Sequence, residues 1–242
     1  MDPFFGWNYA HRGLYGNGVP ENSMEAFRRA RERGYGVELD VHLLADGSLA
    51  VIHDSLLQRM TGQDGRIEEL RVDQLGDYFL GNSMQTIPSF EQVLRLFDGC
   101  VPLIVELKSS GKNHSELCKR TCEALAAYDG VYCLESFDPR CVYWLRKNRP
   151  DITRGQITQN YFKSDTSTLP WVLKVILTNL MTNFLTRPDF VAYRFKDRKN
   201  LSDYLTRKLW KCPSVTWTVA DRHELDLALT EGRIPIFENF AP

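Results

Sequence analysis

The chain lacks any apolar run long enough to span a bilayer. Its greasiest stretch, residues 171–185, is interrupted by Lys174, Thr178, Asn179, Thr182 and Asn183, and it falls short of the roughly twenty residues a spanning helix needs. A charge surplus is lacking too. Lys and Arg number 30 against 31 Asp and Glu, for a net charge of −1 without blocks of like sign, so the basic footprint of a nucleic-acid binder is missing. Six cysteines include no CxxC pair, which excludes the usual zinc-finger spacings. Cys118 and Cys122 lie one helical turn apart and read as packed thiols. The first seven residues have neither a basic n-region nor an apolar core, so no secretory signal is expected, and reduced thiols in a cytoplasmic protein follow from that reading. There is no GxGxxG, no Walker sequence, no repeat and no Pro-, Gly- or Ser-rich linker.

What is present is ordinary for a globular protein: 242 residues, 43% hydrophobic, 25% charged and 12% aromatic. Short apolar runs at 7–10, 36–44, 49–52, 101–107, 131–136, 154–157, 190–193, 215–219 and 234–237 read as strands. Helices with legible starts lie between most of them. Asn22 with Glu25 resembles a capping box, Ser89 with Gln92 another, Asp138-Pro139 supplies a cap and a first-turn proline, and Asp221 with Glu224 opens the last long helix. Alternating strand and helix predicts a parallel sheet, and eight such units make a (β/α)8 barrel. An open doubly wound sheet is the structural rival. One connection breaks the alternation: Ala45-Asp46-Gly47-Ser48 reads as a hairpin, followed by a polar stretch at 53–86 with four glycines. We expect one domain, 1–242, with a small cap-like insertion at about 45–86 after the second strand.

A two-residue turn at Asp46-Gly47 would set Asp40 opposite His53 on one face, with Cβ atoms roughly 5 Å apart. Glu38 shares that face because strand side chains alternate, whereas Leu39 and Val41 point away. His42 has the same parity, which makes it a candidate fourth ligand, but hairpin twist is expected to carry it beyond the site. In residues 101–108, Glu106 and Lys108 share one side and Val105 and Leu107 the other. Carboxylates and an ammonium at the ends of apolar runs are costly unless they pair or bind something. The first strand ends in His11-Arg12-Gly13, which suits an anion site with a proton-transfer group. Three oxygen ligands without thiolate suit a hard cation, Mg²⁺ or Ca²⁺. Arg12 and Lys108 suit a phosphate, and two histidines suit acid and base work near neutral pH. Metal-assisted cleavage of a phosphodiester needs these parts together.

The runs His11-Arg12-Gly13, Glu21-Asn22-Ser23, Glu38-Leu39-Asp40-Val41, Asp46-Gly47 and His53-Asp54 resemble the glycerophosphodiester phosphodiesterases. Glu106-Leu107-Lys108, Ser136-Phe137-Asp138 and Trp217-Thr218-Val219 continue the likeness in order along nearly the whole chain. The resemblance implies a (β/α)8 barrel, metal ligands at Glu38, Asp40 and Glu106, acid/base histidines at His11 and His53, and phosphate contacts from Arg12 and Lys108. It also implies hydrolysis of a small glycerophosphodiester to sn-glycerol 3-phosphate and an alcohol. Phe137 and Trp217 line either the substrate pocket or the barrel core. A lysophospholipase D or sphingomyelinase-like activity, or an inactive phosphate-binding module, are the rival readings. The chain departs from the family pattern after its last strand, where Phe237-Glu238-Asn239 stands in place of Thr-Asp, so Glu238 is left out of the expected set. Residues 169–185 carry more apolar side chains than one buried stripe needs. They read as a heavily covered barrel helix, as a contact in a homodimer, or as a surface offered to an acyl chain or membrane.

Overall fold

Nine apolar runs form nine strands, each within two residues of its expected bounds. The computed structural model describes residues 4, 6–163 and 168–242; Met1–Pro3, where the signal-peptide reading begins, and part of the 158–189 connection lie outside the described residues. The strands are β1 (Tyr9–His11), β2 (Gly36–Leu43), β3 (Leu49–Val51), β4 (Leu103–Leu107), β5 (Tyr132–Ser136), β6 (Arg154–Thr158), β7 (Phe190–Arg194), β8 (Ser214–Val219) and β9 (Ile234–Phe237). All but β3 run parallel, in the order β1-β2-β4-β5-β6-β7-β8-β9, and β9 returns to pair with β1. This closed eight-stranded barrel is the expected (β/α)8 architecture; the open sheet is excluded. β3 is an extra antiparallel strand on β2.

The helices are α1 (Met24–Glu32), α2 (Gln58–Thr61), α3 (Phe90–Phe97), α4 (His114–Leu125), α5 (Pro139–Asn148), α6 (Trp171–Thr178), α7 (Asn183–Thr186), α8 (Leu201–Lys208) and α9 (Arg222–Thr230). Alternation along the strands divides two cores. Leu39, Val41, Val105 and Leu107 face outward against Phe27, Phe90, Phe97 and Leu117 of the surrounding helices. Tyr9, Ile104, Cys133, Ile157, Phe190, Ala192, Val215 and Ile236 fill the barrel interior together with Phe4, and each fully buried aliphatic or aromatic side chain contributes about 1.5–3 kcal/mol. Gly155 is required in β6, since a Cβ there would stand 2.2 Å from the Phe190 ring.

Three local expectations are corrected. The hairpin register pairs Val41 with Val51, His42 with Ala50 and Leu43 with Leu49, which puts Ile52 rather than His53 opposite Asp40. Leu44 pairs with Ser48 around a three-residue loop whose Gly47 sits at φ 84°, the geometry of a type I turn followed by a left-handed residue. His53 therefore lies two residues past β3, in the chain that leaves the strand. The cap of α1 is Ser23, whose Oγ accepts from Ala26 N at 3.2 Å; Asn22 stands one residue earlier at φ 52° and turns toward the barrel. The insertion, a polar stretch by its sequence, nevertheless has a small core of its own in which Leu57, Ile67, Leu75, Leu80 and Ile87 pack around Ala50 and Ile52.

The greasy stretch after β6 breaks into α6 and α7, and neither buries a full apolar stripe. Trp171, Val172, Leu173, Met181, Phe184 and Leu185 are exposed, and Thr178 is the buried residue of α6. The heavily covered barrel helix does not form. Among the described residues, no helix is long and apolar enough to cross a membrane.

Candidate active site at the barrel mouth

Parallel strands in a closed barrel present their C-terminal ends at one mouth, which is where the polar residues of this chain collect. In register, His11 pairs with Glu38, Asp40 with Glu106, and Glu106 with Glu135. The inward parity expected for Glu38, Asp40 and Glu106 therefore places three carboxylates on adjacent strands. Their oxygens lie within 4.8 Å of one another and all three residues are buried. His11, Arg12, Glu38, His53, Glu106, Phe137 and Trp217 line one cavity of about 140 Å³ with Glu135, Ile157 and Ile236. Lys108 lines an adjoining cleft of about 450 Å³, which shares His53, Glu106 and Phe137 with the first. The Phe137 and Trp217 rings meet edge to face, 5.4 Å between centroids, at the wall of the small cavity.

Burial and mutual repulsion set the charge states. Removal from water, then the charges of Asp40 and Glu106, push the Glu38 carboxyl well above its ordinary range. Burial pushes Glu106 up to about 7 against the pull of Lys108. Glu135 is likewise raised by burial and by Glu106. Asp40 is the exception. Burial alone would raise it, but the Lys108 ammonium and the Arg12 guanidinium hold it well below the usual carboxylate range. The ammonium stands 3.0 Å from Asp40 Oδ1 and 2.7 Å from Glu106 Oε1, and Arg12 Nε stands 3.4 Å from Asp40 Oδ2.

Arg12 is held from both ends. Its backbone, left-handed at φ 55°, donates N–H to Glu38 Oε2 at 3.1 Å, and its Nη1 donates to Glu21 Oε1 at 2.8 Å. Glu21 Oε1 also accepts from Arg59 at 2.7 Å, and Arg59 in turn ion-pairs with Asp54. Asp54 accepts at His53 Nδ1 at 2.5 Å. On the opposite side, Glu238 Oε2 lies 2.9 Å from His11 Nδ1 and accepts from the Tyr15 hydroxyl at 3.0 Å. Each histidine thus has a carboxylate on Nδ1, an arrangement that fixes its tautomer and aims Nε2 at the site. Both imidazoles are pushed down mainly by burial, His53 to about 4, and the paired carboxylates oppose that push.

Sequence reasoning missed Glu135, read Asn22 only as a helix cap, and set Glu238 aside, although it pairs with His11. Asn22 Nδ2 donates to Asp40 Oδ2 at 2.7 Å. Glu135 and Glu238 share the signal that identified Glu106, an inward-parity carboxylate at the end of an apolar run. His42 does not join the carboxylate cluster: its Nδ1 lies 3.2 Å from Glu68 Oε1 and its Nε2 lies 3.1 Å from the His53 carbonyl.

The residues fit a hard divalent cation. A cation about 2.4 Å from its ligands holds oxygens no more than about 4.8 Å apart, and one oxygen each of Glu38, Asp40 and Glu106 lie within 4.8 Å of one another. Glu135 Oε2 and Asn22 Oδ1 are buried without a hydrogen-bond partner, and the donor set is all oxygen.

Fold and site together define a (β/α)8 barrel with two histidine–carboxylate pairs and a buried acidic cluster at its C-terminal mouth. Residues 11–228 match the glycerophosphoryl diester phosphodiesterase family, and the chain belongs to it. A glycerophosphodiester phosphodiesterase of Bacillus altitudinis is 41% identical over 111 residues, 42% of this chain and 45% of that one. Another from Caldanaerobacter subterraneus subsp. tengcongensis is 31% identical over 163 residues, 62% and 65% of the two chains. The chain thus aligns with between about half and two thirds of the length of these relatives. Among solved structures, an Oleispira antarctica phosphodiesterase in complex with the product sn-glycerol-3-phosphate shares the fold, with a TM-score of 0.81 at 21% identity over 97% of this chain and 93% of that one.

Proposed function

We propose that the protein hydrolyses small glycerophosphodiesters to sn-glycerol 3-phosphate and an alcohol. The observation that carries this reading is the pair of histidines, each with a carboxylate on Nδ1, flanking a buried carboxylate cluster beside Arg12 and Lys108. The family relatives named glycerophosphodiester phosphodiesterase and the product seen in the Oleispira structure supply the substrate class.

Glu38, Asp40 and Glu106 would hold a divalent cation, Mg²⁺ or Ca²⁺. When bound, it supplies Lewis-acid neutralisation of the phosphate oxygens. Arg12 and Lys108 orient the phosphodiester and offset its charge. The glycerol 2-hydroxyl attacks phosphorus and the P–O bond to the alcohol breaks; water, giving its proton to His53, then attacks the cyclic phosphate and breaks its bond to the 2-oxygen, which regains a proton from His11. His11, which borders the small cavity, takes the 2-hydroxyl proton at Nε2. His53 borders both the small cavity and the larger cleft; with the bound phosphodiester anion offsetting the Lys108 and Arg12 charges that push it down, it carries the proton that it gives to the alcohol departing into the cleft. Phe137 and Trp217 pack against the glycerol carbons. Ser55, Arg66 and Glu68 of the insertion wall the cleft, and barrel and insertion act as one unit.

The test is turnover of glycerophosphocholine, glycerophosphoethanolamine and lysophosphatidylcholine, each with Mg²⁺, with Ca²⁺ and after exhaustive chelation. Metal-dependent release of sn-glycerol 3-phosphate is expected from the soluble diesters, and His11→Ala or His53→Ala lowers kcat about 10²–10⁴-fold. Turnover of the lysolipid alone would assign a lysophospholipase D instead. Binding without turnover on every substrate would leave a phosphate-binding module.

A further inference from the structure

The broken segment after β6 exposes apolar side chains on a scale unmatched in the rest of the described surface. Trp171 is 71% exposed, Phe184 79% and Leu185 65%, with Val172, Leu173 and Met181 beside them in sequence. On α8 and just beyond it, Leu201, Tyr204, Leu209 and Trp210 are exposed as well. The α7 end of the first segment shares a face with α8, because Met181, Phe184, Leu201 and Trp210 line a single groove of about 680 Å³. Singly exposed apolar residues are normal, but a contiguous patch of this kind marks a contact surface.

The segment is firmly held. Thr158 Oγ1 donates to the Leu177 carbonyl at 2.8 Å, while the Tyr193 and Ser202 hydroxyls donate to the Thr178 carbonyl at 3.0 and 2.9 Å. Asp189 and Pro213, which line the groove, directly precede β7 and β8, so the groove reaches the end of the barrel away from the mouth. Thr158 ends β6 and Tyr193 lies near the end of β7, so the C-terminal end of α6 is pinned near the mouth. Its apolar side chains are exposed by this geometry.

Charge discriminates among occupants. The chain as a whole carries −1, yet residues 168–188 contain Lys174 and Arg187 and no acid. Arg187, Lys208 and Lys211 are exposed around the groove. The acids nearby are already paired: Asp203 is buried against Arg233, and Asp189 lies 3.2 Å from Arg154. A protein–protein interface depletes Lys around its core. Aromatic side chains interleaved with cations that form no ion pair among the described residues, as in Lys208-Leu209-Trp210-Lys211, are instead the chemistry of an anionic bilayer surface, where rings enter the headgroup boundary and ammonium groups meet lipid phosphates.

We infer that the face formed by α7, α8 and the turn that leads into β8 seats the side of the barrel on an anionic lipid surface. The inference stands apart from the proposed hydrolysis, and its test reads binding alone. The wild-type protein is sedimented with vesicles of phosphatidylcholine and with vesicles of phosphatidylcholine and phosphatidylglycerol at two to one. Sedimentation with the anionic vesicles, weakened by salt, is expected. Each cation near such a surface is worth about fivefold in partitioning, so Lys208→Glu with Lys211→Glu lowers anionic-vesicle binding by at least about 25-fold. Met181→Ser with Phe184→Ser and Trp210→Ser abolishes binding to the anionic vesicles, while far-ultraviolet circular dichroism and the melting midpoint report that the variants fold. Failure of the wild type to sediment with either vesicle overturns the inference, as does binding indifferent to both sets of substitutions. A concentration-dependent dimer that the serine substitutions dissociate would overturn it in favour of a second copy of this chain.

Discussion

Replacing Glu238 by Gln tests whether His11 acts as a base, because it removes a charge without removing the hydrogen-bond acceptor. Glu238 Oε2 lies 2.9 Å from His11 Nδ1. When His11 accepts a proton at Nε2, the imidazolium and the carboxylate form a charge-assisted bond stronger than the one before transfer. Bonds of this class contribute about 1.5–3 kcal/mol, which converts to a loss of about 10- to 150-fold in kcat with little change in KM. The pH dependence gives the second readout. His11 is pushed down chiefly by burial, and the Glu238 hydrogen bond and charge push it back up. A base works in its unprotonated form, so its activity is lost as pH falls through its pKa. Removing the Glu238 charge lowers that pKa further and moves the acidic limb of kcat/KM to lower pH, even as the plateau drops. Tyr15→Phe, which removes the 3.0 Å bond that holds Glu238, should cost less. Stopped-flow or coupled assays across the acidic limb, with His11→Ala and the double variant completing the cycle, measure both effects. If the Glu238→Gln enzyme keeps its rate within about twofold and its acidic limb does not move, Glu238 is not the partner of a working base.

Glu38→Gln, Asp40→Asn and Glu106→Gln should each weaken Mg²⁺ or Ca²⁺ binding in calorimetric titrations; unchanged affinity in all three would remove the cluster from the metal assignment. Asn22→Ala removes the 2.7 Å bond to Asp40 and should lower activity more than it lowers the melting midpoint, since α1 keeps its Ser23 cap. Away from the mouth, Asp203→Asn leaves the Arg233 guanidinium, fully buried and bonded to Asp203 at 2.7 Å, with Glu231 as its remaining carboxylate. Breaking a buried pair from one side costs about 3 kcal/mol. That lowers the melting midpoint by about 6–12 °C, whereas a calorimetric shift under about 2 °C would show the pair to be dispensable.

Much of this protein is local and therefore legible in its sequence. Strand side chains alternate with period two, so Glu38 and Asp40 had to share a face opposite Leu39 and Val41, and Glu106 with Lys108 had to oppose Val105 and Leu107. Caps at Ser89, Asp138 and Asp221 act over three residues and form as read. Tertiary structure decided whatever depends on closure or on competition between neighbours. Barrel closure brings Glu238 to His11 across 227 positions, a contact that no spacing rule encodes. Asn22 and Ser23 are both good caps, and the bond to Asp40 recruits the first and leaves α1 to the second. Gly47 supplies a left-handed residue that either loop length would accept, so the hairpin register was left to packing, which buries Ala50 and Ile52 in the core of the insertion. The same competition set the fate of residues 171–185. Their hydrophobicity is plain in the sequence, but the hydrogen bonds that pin Leu177 and Thr178 to the ends of β6 and β7 decided that their side chains face outward rather than the barrel.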